Sequence, residues 1–182
     1  MALKATVYKA QLNVADTDRG YYADHALTLA LHPSETEERL AARLLAFALH
    51  ADELLAFTRG ISSEDEPDLW LRELNGDIRL WIELGQPDEA RVRKACHRAA
   101  QVLVLCYGAR APETWWEKHR GALARFDNLG VRRLPAEAGA ALTALVDRGM
   151  QWQVTIQDGT AFVSSERGQV EVTLEDWQPA RR

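Results

Sequence analysis

One stretch decides the fold of this chain, Asp77–Lys94, which reads D-I-R-L-W-I-E-L-G-Q-P-D-E-A-R-V-R-K. Every second residue from Ile78 to Leu84 is apolar, which predicts a strand with one apolar face. A glycine and a proline end that strand, and Asp88 is the predicted N-cap of a helix rich in Arg and Lys. The stretch therefore places one carboxylate, that of Glu83, at the end of a predicted central strand and just before a basic helix.

The bulk composition is that of an ordinary globular protein. The chain has 182 residues, of which 47% are hydrophobic and 27% are charged, so we expect a single domain over residues 1–182. No apolar run reaches membrane-spanning length and the N-terminus has no signal-peptide core, so no membrane partner is expected. Cys96 and Cys106 have no paired metal motif and are predicted to be free, buried thiols in a reducing compartment, which predicts a cytoplasmic protein.

Charge is unevenly distributed along the chain. The net charge is −5, but residues 88–133 contain ten Lys and Arg against five Asp and Glu, whereas the remaining residues contain twelve against twenty-two. The basic portion is compatible with a surface that binds phosphates, and hence with nucleic acid as a partner. The other interpretation is a set of solvated helical faces.

The first half of the chain predicts a hairpin followed by a buried helix. Strands are expected over residues 3–14 and 21–31, joined by a polar loop. A helix is expected from Ser34 to about Asp52, with Ser34 as N-cap and Glu37 completing a capping box. The region from Phe57 to Gly76 predicts an irregular segment with a short helix over residues 67–73.

The second half predicts a strand–helix–strand unit and a C-terminal β region. The continuous apolar run over residues 102–107 is typical of a strand buried on both faces, so it forms a right-handed βαβ unit with the stretch above. Further helices are expected over residues 112–126 and 136–150, and further strands over residues 131–134, 151–157, 160–163 and 170–174. The predicted class is α/β, in its α+β form, with a mixed sheet flanked by helices and β-hairpins at both ends.

The chemistry-bearing residues are oxygen ligands. The chain has no G-x-S-x-G elbow, P-loop, G-x-G-x-x-G or H-E-x-x-H motif, which argues against nucleophile triads, nucleotide cradles and zinc proteases. What remains is Glu38 on the buried arc of the first helix, the acidic residues 64–68, and Glu83. Oxygen-only sites suit Mg²⁺. The alternatives are that Glu38 reaches solvent or an Arg, and that residues 64–68 are a solvated loop.

The chain resembles the YaeQ family over essentially its whole length. The resemblance is carried by ordered blocks: Ala2–Ala10, His32–Thr36 with Glu38 and Arg39, Phe57–Gly60, Asp65–Pro67, Trp81–Gly85, Pro87–Glu89 with Lys94 and Ala95, and Thr155–Gly159. It implies a variant PD-(D/E)XK core, the fold of restriction-endonuclease-like proteins, in which acidic residues gather around a divalent metal. Glu38 would be the acid of the first core helix, Glu83 the acid of the (D/E)XK strand, and one of Asp65, Glu66 and Asp68 the remaining ligand.

Two departures from that pattern stand in the sequence. Position 85 is Gly where the motif has Lys, so the catalytic cation would come from the next helix, as Arg91 or Lys94. In addition, only one strand is predicted between the first two helices. The N-terminal hairpin would then have to complete the core sheet.

The resulting hypothesis is a Mg²⁺-dependent nuclease-like phosphodiesterase acting on nucleic acid. Glu38, Glu83 and one acid of residues 64–68 would bind the metal, and Arg91 or Lys94 would stabilise the transition state. The alternative is a catalytically inactive module of the same fold that binds nucleic acid, through cations such as Arg132 and Arg133, or a protein partner. A third interpretation has the acids in a buried polar network with arginines.

Overall fold

A computed structural model describes residues 4–59 and 63–181, which form an α+β fold with two mixed sheets and four helices. The helices are α1 (Glu37–Leu49), α2 (Glu89–Arg98), α3 (Ala111–Leu123) and α4 (Ala136–Thr143). The strands are β1 (Thr6–Asp16), β2 (Tyr21–Leu31), β3 (Leu55–Phe57), β4 (Leu69–Arg72), β5 (Ile78–Leu84), β6 (Ala99–Cys106), β7 (Leu129–Arg133), β8 (Gly149–Gln157), β9 (Thr160–Ser165), β10 (Gly168–Thr173) and β11 (Glu175–Gln178).

The first compact unit comprises residues 1–51 and 135–173 and contains a five-stranded sheet of order β10-β9-β8-β1-β2. β1 pairs antiparallel with β2 and parallel with β8, so a hairpin and a C-terminal meander share one sheet. Alternate residues of β1 and β8 are buried, which is the pattern of strands with one face on a core and one face in water. A tight turn at Asp158-Gly159 joins β8 to β9, and both residues have the positive φ that such a turn requires, 51° and 75°.

The second compact unit comprises residues 52–134 and 174–182 and contains a six-stranded sheet of order β11-β7-β6-β5-β4-β3. β5, β6 and β7 are parallel, and β5-α2-β6 is the predicted βαβ unit. Its core includes Trp81, Val92, Val104, Trp115 and Leu129, all buried. Burial of this kind stabilises the unit by roughly 1.5–3 kcal/mol for each large side chain.

The expectation of a helix over residues 67–73 was wrong, because that segment contains strand β4. Leu69 and Leu71 are buried while Trp70 and Arg72 are more exposed, so the period is two and not 3.6. β3 and β4 therefore supply the strands between α1 and β5. The N-terminal hairpin, which was expected to complete the core sheet, belongs to the five-stranded sheet instead.

The predicted N-cap of the first helix was also wrong. α1 begins at Glu37, and the hydroxyl of Thr36 accepts from the backbone N–H of Arg39. The hydroxyl of Ser34 is bonded to the His32 ring at 2.8 Å, and Ser34 lies two residues before the observed N-cap. The helix expected over residues 136–150 ends at Thr143, and strand β11 was not predicted at all. None of the described helices is both long and apolar enough to cross a membrane.

Candidate functional site

The carboxylate of Glu83 is buried and held by two donors. The C-terminal half of β5 is buried on both faces, and Glu83 is only 3% exposed. Its Oε1 accepts from the indole Nε1 of Trp81 at 2.7 Å and from Nε of Arg91 at 2.9 Å. Trp81 lies two residues earlier on the same face of the strand, and Arg91 lies in the first turn of α2. The βαβ connection therefore brings the acid and its arginine together.

Arg91 also anchors the acidic segment, which we define as residues 64–68. Its Nη1 donates to the backbone carbonyl of Glu64 at 3.3 Å and its Nη2 to that of Glu66 at 2.7 Å. All three guanidinium nitrogens thus have an oxygen partner, which suits the planar fork of arginine. The Arg91 guanidinium is therefore the cation in direct contact with the Glu83 carboxylate.

Asp68 is the acid of the acidic segment that lies nearest to Glu83. β4 and β5 are antiparallel with Leu69 opposite Ile82, so continuing the register by one residue puts Asp68 opposite Glu83. Asp68 is 4% exposed, and its Oδ2 accepts from the backbone N–H of Leu84 at 2.8 Å. Two carboxylates are therefore buried on facing positions of neighbouring strands.

Burial raises the pKa of Glu83 above its usual value, because the charged form loses its hydration. The hydrogen bonds from Arg91 and Trp81 and the charge of Arg91 act in the opposite direction, and the nearby charge of Asp68 adds to the increase. Desolvation is the largest cause. The pKa of Asp65 is lowered instead, first by the hydrogen bond from Lys94.

The carboxylates of Asp65 and Glu66 have partners other than Glu83 and Arg91. Lys94 pairs with the carboxylate of Asp65, and Arg98 donates to the Asp65 carbonyl at 2.9 Å. The carboxylate of Glu66 accepts a long contact from the backbone N–H of Arg59 at 3.4 Å. Lys94 therefore faces the acidic segment, and Arg91 is the cation that contacts Glu83.

Glu38 lies on α1 in the first unit. It was expected in the middle of the buried arc of that helix, but the side chain is only half-buried, whereas residues 40–48 are buried. Among residues 4–59 and 63–181, no group of three or more His, Cys, Asp or Glu side chains is placed to hold a metal ion. The second unit contains two neighbouring buried carboxylates, those of Asp68 and Glu83.

The backbone conformation at Gly85 disfavours a lysine at this position, two residues after Glu83. Its φ is +92°, a conformation that L side chains rarely adopt, and a Cβ there would approach the Tyr107 ring at 3.7 Å. Its N–H donates to the Leu105 carbonyl, which continues the pairing of the two parallel strands. A lysine at this position would carry backbone strain.

The two arginines expected to bind nucleic acid are in ion pairs. Arg132 pairs with Asp176 at 2.6 Å, and Arg133 pairs with Glu113 at 2.6 Å and Glu175 at 3.6 Å. The acids of β11 supply two of these partners, and β11 was missed in the sequence. Exposed cations of the second unit that carry no such pair include Arg93, Lys118 and Arg120.

Trp81 is the site residue whose role was not predicted. Strand alternation puts Trp81 on the same face as Glu83, but its indole N–H was not recognised as a donor to that carboxylate. The spacing of two residues along a strand is a signal that could have found it.

Comparison with known proteins agrees with the sequence blocks. The family model described as YaeQ protein matches residues 1–174. The chain is 52% identical over 178 residues to the uncharacterized protein YaeQ of Salmonella typhi and 51% identical to that of Escherichia coli strain K12. In both cases the match covers 98% of this chain and 98% of the relative. Among solved structures, the YaeQ protein from Xanthomonas axonopodis pv. citri is 56% identical with a TM-score of 0.92, covering 96% of this chain and 98% of that one. The YaeQ protein from Pseudomonas syringae is 40% identical with a TM-score of 0.92, covering 98% of both chains. The chain belongs to the YaeQ family.

Proposed function

We propose that this protein is a metal-dependent phosphodiesterase of the PD-(D/E)XK type acting on nucleic acid, with Asp68 and Glu83 as its Mg²⁺ ligands. The observation that carries the proposal is the burial of these two acids at facing positions: Glu83 lies on β5, and Asp68 lies one residue before β4, where it continues the register of the two strands. Titratable groups with perturbed pKa values cluster at functional sites, and the charge of Asp68 is one of the causes that raise the pKa of Glu83. Pro67-Asp68 and Glu83 would be the "PD" and the acid of "(D/E)XK".

The donor set fits Mg²⁺. Carboxylate oxygens are its preferred protein ligands, and one or two carboxylates together with substrate phosphates commonly complete its site. A bound Mg²⁺ would supply Lewis-acid activation of water and neutralise charge on the phosphate. Asp65 and Glu66 are less suited because they contact Lys94 and the backbone of Arg59. A ligand role for Glu38 remains a prediction.

Arg91 is the proposed electrostatic catalyst. Its guanidinium stands beside Glu83, and it replaces the lysine that Gly85 excludes. A phosphoryl oxygen that bears growing negative charge would compete with Glu83 and the Glu66 carbonyl for its N–H groups. Trp81 would keep the Glu83 carboxylate oriented throughout, because its N–H is held at 2.7 Å.

Calorimetric titration of the full chain with Mg²⁺ and Mn²⁺ tests the ligands. We expect binding with a dissociation constant of millimolar order or tighter, abolished by Asp68→Asn and by Glu83→Gln. Glu73→Gln is the matched control, since Glu73 is an exposed acid between the same two strands and its carboxylate pairs with Arg79 at 3.5 Å. Absence of any saturable heat at about 10 mM of either ion would overturn the proposal.

Cleavage of end-labelled single- and double-stranded DNA and RNA with the same ions tests the reaction. Arg91→Ala is expected to lower the rate by about two orders of magnitude with the metal affinity nearly unchanged, because Arg91 would act on the transition state and not on the ion. An equal loss of metal affinity and rate would instead give Arg91 a structural role. A rate unchanged in Glu83→Gln would contradict the assignment.

A second candidate is a catalytically inactive module of the same fold that binds nucleic acid or a protein partner. It is favoured by Arg91, which already satisfies Glu83, and by the glycine at position 85. It predicts nucleic-acid binding that weakens with salt and is indifferent to Glu83→Ala. Arg93→Ala is a better probe than Arg132→Ala, because Arg93 is exposed whereas Arg132 is paired with Asp176.

A further inference from the structure

The solvent-facing side of the five-stranded sheet carries a row of polar, mostly amide side chains. One row crosses all five strands in register and consists of Gln169, Ser164, Gln153, Asn13 and Asp24. Five strands at about 4.8 Å spacing make this row roughly 19 Å long. Gln11 and Gln151 stand beside each other in the neighbouring row of the two central strands. The face is therefore rich in amides.

This face is not required by the core. The opposite faces of β1 and β8 provide the buried residues, such as Leu12, Val14, Trp152 and Val154. A solvent face that had only to stay soluble would be served by charged and β-branched residues. Asn13 sits in the interior of a central strand, where asparagine is disfavoured. Departures from local preference of this kind are expected at functional positions.

The row lines a groove of about 560 Å³ on this face. The groove is bordered by Gln11, Asn13, Asp24, Gln153, Glu166 and Gln169, and among residues 4–59 and 63–181 no Lys, Arg or His lines it. A ligand that carries phosphate would meet two carboxylates and no cation, which is repulsive. The lining instead offers amides that donate and accept and carboxylates that accept. That inventory matches a neutral ligand with many hydroxyl groups.

An exposed aromatic ring adjoins the groove. Phe162 is 45% exposed, and it lines an adjacent depression of about 390 Å³ that shares Gln153, Ser164 and Gln169 with the groove. Phe162 is opposite Thr155 and Glu171 in the sheet, so its ring lies one row away from the polar row. A ring in this position gives an apolar platform next to hydrogen-bonding groups.

We infer that this groove binds a neutral oligosaccharide. The amides of Gln153, Gln169 and Asn13 hydrogen-bond to its hydroxyl groups, the carboxylate of Asp24 accepts from them, and the Phe162 ring packs against the C–H face of one sugar. The Asn13 amide is already held in place on this face, because its Nδ2 donates to Asp24 at 2.7 Å. The site lies wholly in the first unit and is independent of the proposed phosphodiesterase activity.

Calorimetric and NMR titration of the full chain tests the inference. The probes are maltohexaose, cellohexaose, xylohexaose and chitohexaose, each to about 10 mM, with a single-stranded oligonucleotide and an extended neutral peptide as the competing ligand classes. We expect saturable binding of at least one oligosaccharide. Gln153→Ala and Phe162→Ala are each expected to weaken it about tenfold or more.

Gln157→Ala is the matched control, since it removes an exposed amide from the same strand outside both depressions. Should Gln153→Ala unfold, Gln169→Ala on the edge strand β10 tests the same row. The inference is overturned if none of the four oligosaccharides binds, if binding survives Gln153→Ala or Gln169→Ala unchanged, or if only the oligonucleotide or the peptide binds this face.

Discussion

The fold buries the Glu83 carboxylate and provides it with two hydrogen-bond donors. The Trp81 indole and the Arg91 guanidinium both contact Oε1, and Asp68 stands opposite on the next strand. Desolvation outweighs these donors, so the pKa of Glu83 is raised. Perturbed pKa values of this kind cluster at functional sites, and the desolvation of the Glu83 carboxylate costs stability that its two donors only partly offset.

Arg91→Ala is predicted to destabilise the second unit. It leaves the Glu83 carboxylate buried with one donor and removes the anchor of the acidic segment at the Glu64 and Glu66 carbonyls. Because the Arg91 side chain is 26% exposed, we expect a loss of roughly 2–4 kcal/mol, somewhat below that for a fully buried pair. Urea unfolding followed by fluorescence measures the change. Arg93→Ala, an exposed arginine on the same helix, is expected to change the free energy of unfolding by less than about 0.5 kcal/mol.

The raised pKa of Glu83 predicts a pH dependence of stability with a defined sign. Between the unfolded value of this glutamate and its higher folded value, the native state binds more protons than the unfolded state, so this group's contribution to stability increases as pH falls. Glu83→Gln removes the titration. We therefore expect the free energy of unfolding of the wild type, measured relative to Glu83→Gln, to rise as pH is lowered from 7 towards 4.5. Glu73→Gln should show no such trend, and a difference that is flat or falls on acidification would contradict the assignment.

At the scale of elements, the position of the α1 N-terminus follows from one hydrogen bond. Ser34 and Thr36 both precede the helix, and both are common N-caps. Only the Thr36 hydroxyl accepts from a helix N–H, that of Arg39, while the Ser34 hydroxyl is bonded to His32. Nearby side chains can compete for a capping residue, and a sequence pattern does not show which bond forms.

Thr36→Ala is predicted to lower the free energy of unfolding by about 1 kcal/mol, which corresponds to a Tm decrease of about 2–4 °C in a chain of this size. Ser34→Ala is expected to stay within about 0.5 kcal/mol of the wild type, since it removes only an exposed contact. Parallel calorimetric melts of the two variants decide between the caps. A larger effect of Ser34→Ala would restore the cap that the sequence suggests.

At the scale of the whole molecule, the reactivity of the two cysteine thiols measures how tightly the chain is folded. Both are free; Cys106 is buried in β6 and Cys96 is half-buried in α2. Burial raises the pKa of the Cys106 thiol to about 12 and that of Cys96 to about 11. Little thiolate therefore exists near neutral pH, and access to the thiols is limited in the native state.

We predict slow reaction of the native chain with Ellman's reagent at pH 8 and rapid titration of two thiols in guanidinium chloride. Cys96→Ser should remove the faster of the two native phases, because Cys96 is the more accessible residue. Immediate modification of both thiols in native buffer would show that the core around β6 is open.

Much of the fold and part of the site were predictable from local pattern. Alternating apolar residues identified β1, β2 and β5, the continuous apolar run identified β6, and Asp88 was correctly placed as the N-cap of α2 with its side chain accepting from Arg91. These features depend on neighbours within a few residues, and periodicity records such neighbours directly. The same reasoning placed Glu83 at a strand end beside a basic helix.

Only the tertiary structure decided which strands share a sheet and which partner each acid has. β1 pairs with β8, more than a hundred residues away, so the hairpin left the sheet it was expected to complete. β4 is four residues long, and its identity as a strand depends on pairing with β5. The placement of Asp68 opposite Glu83 follows from that pairing. Strand pairing and ion pairing join distant residues through contacts that leave no periodic trace in the chain. For that reason the sequence determined most of the helices and strands, whereas only the fold determined β4, β11 and the partner of each acid.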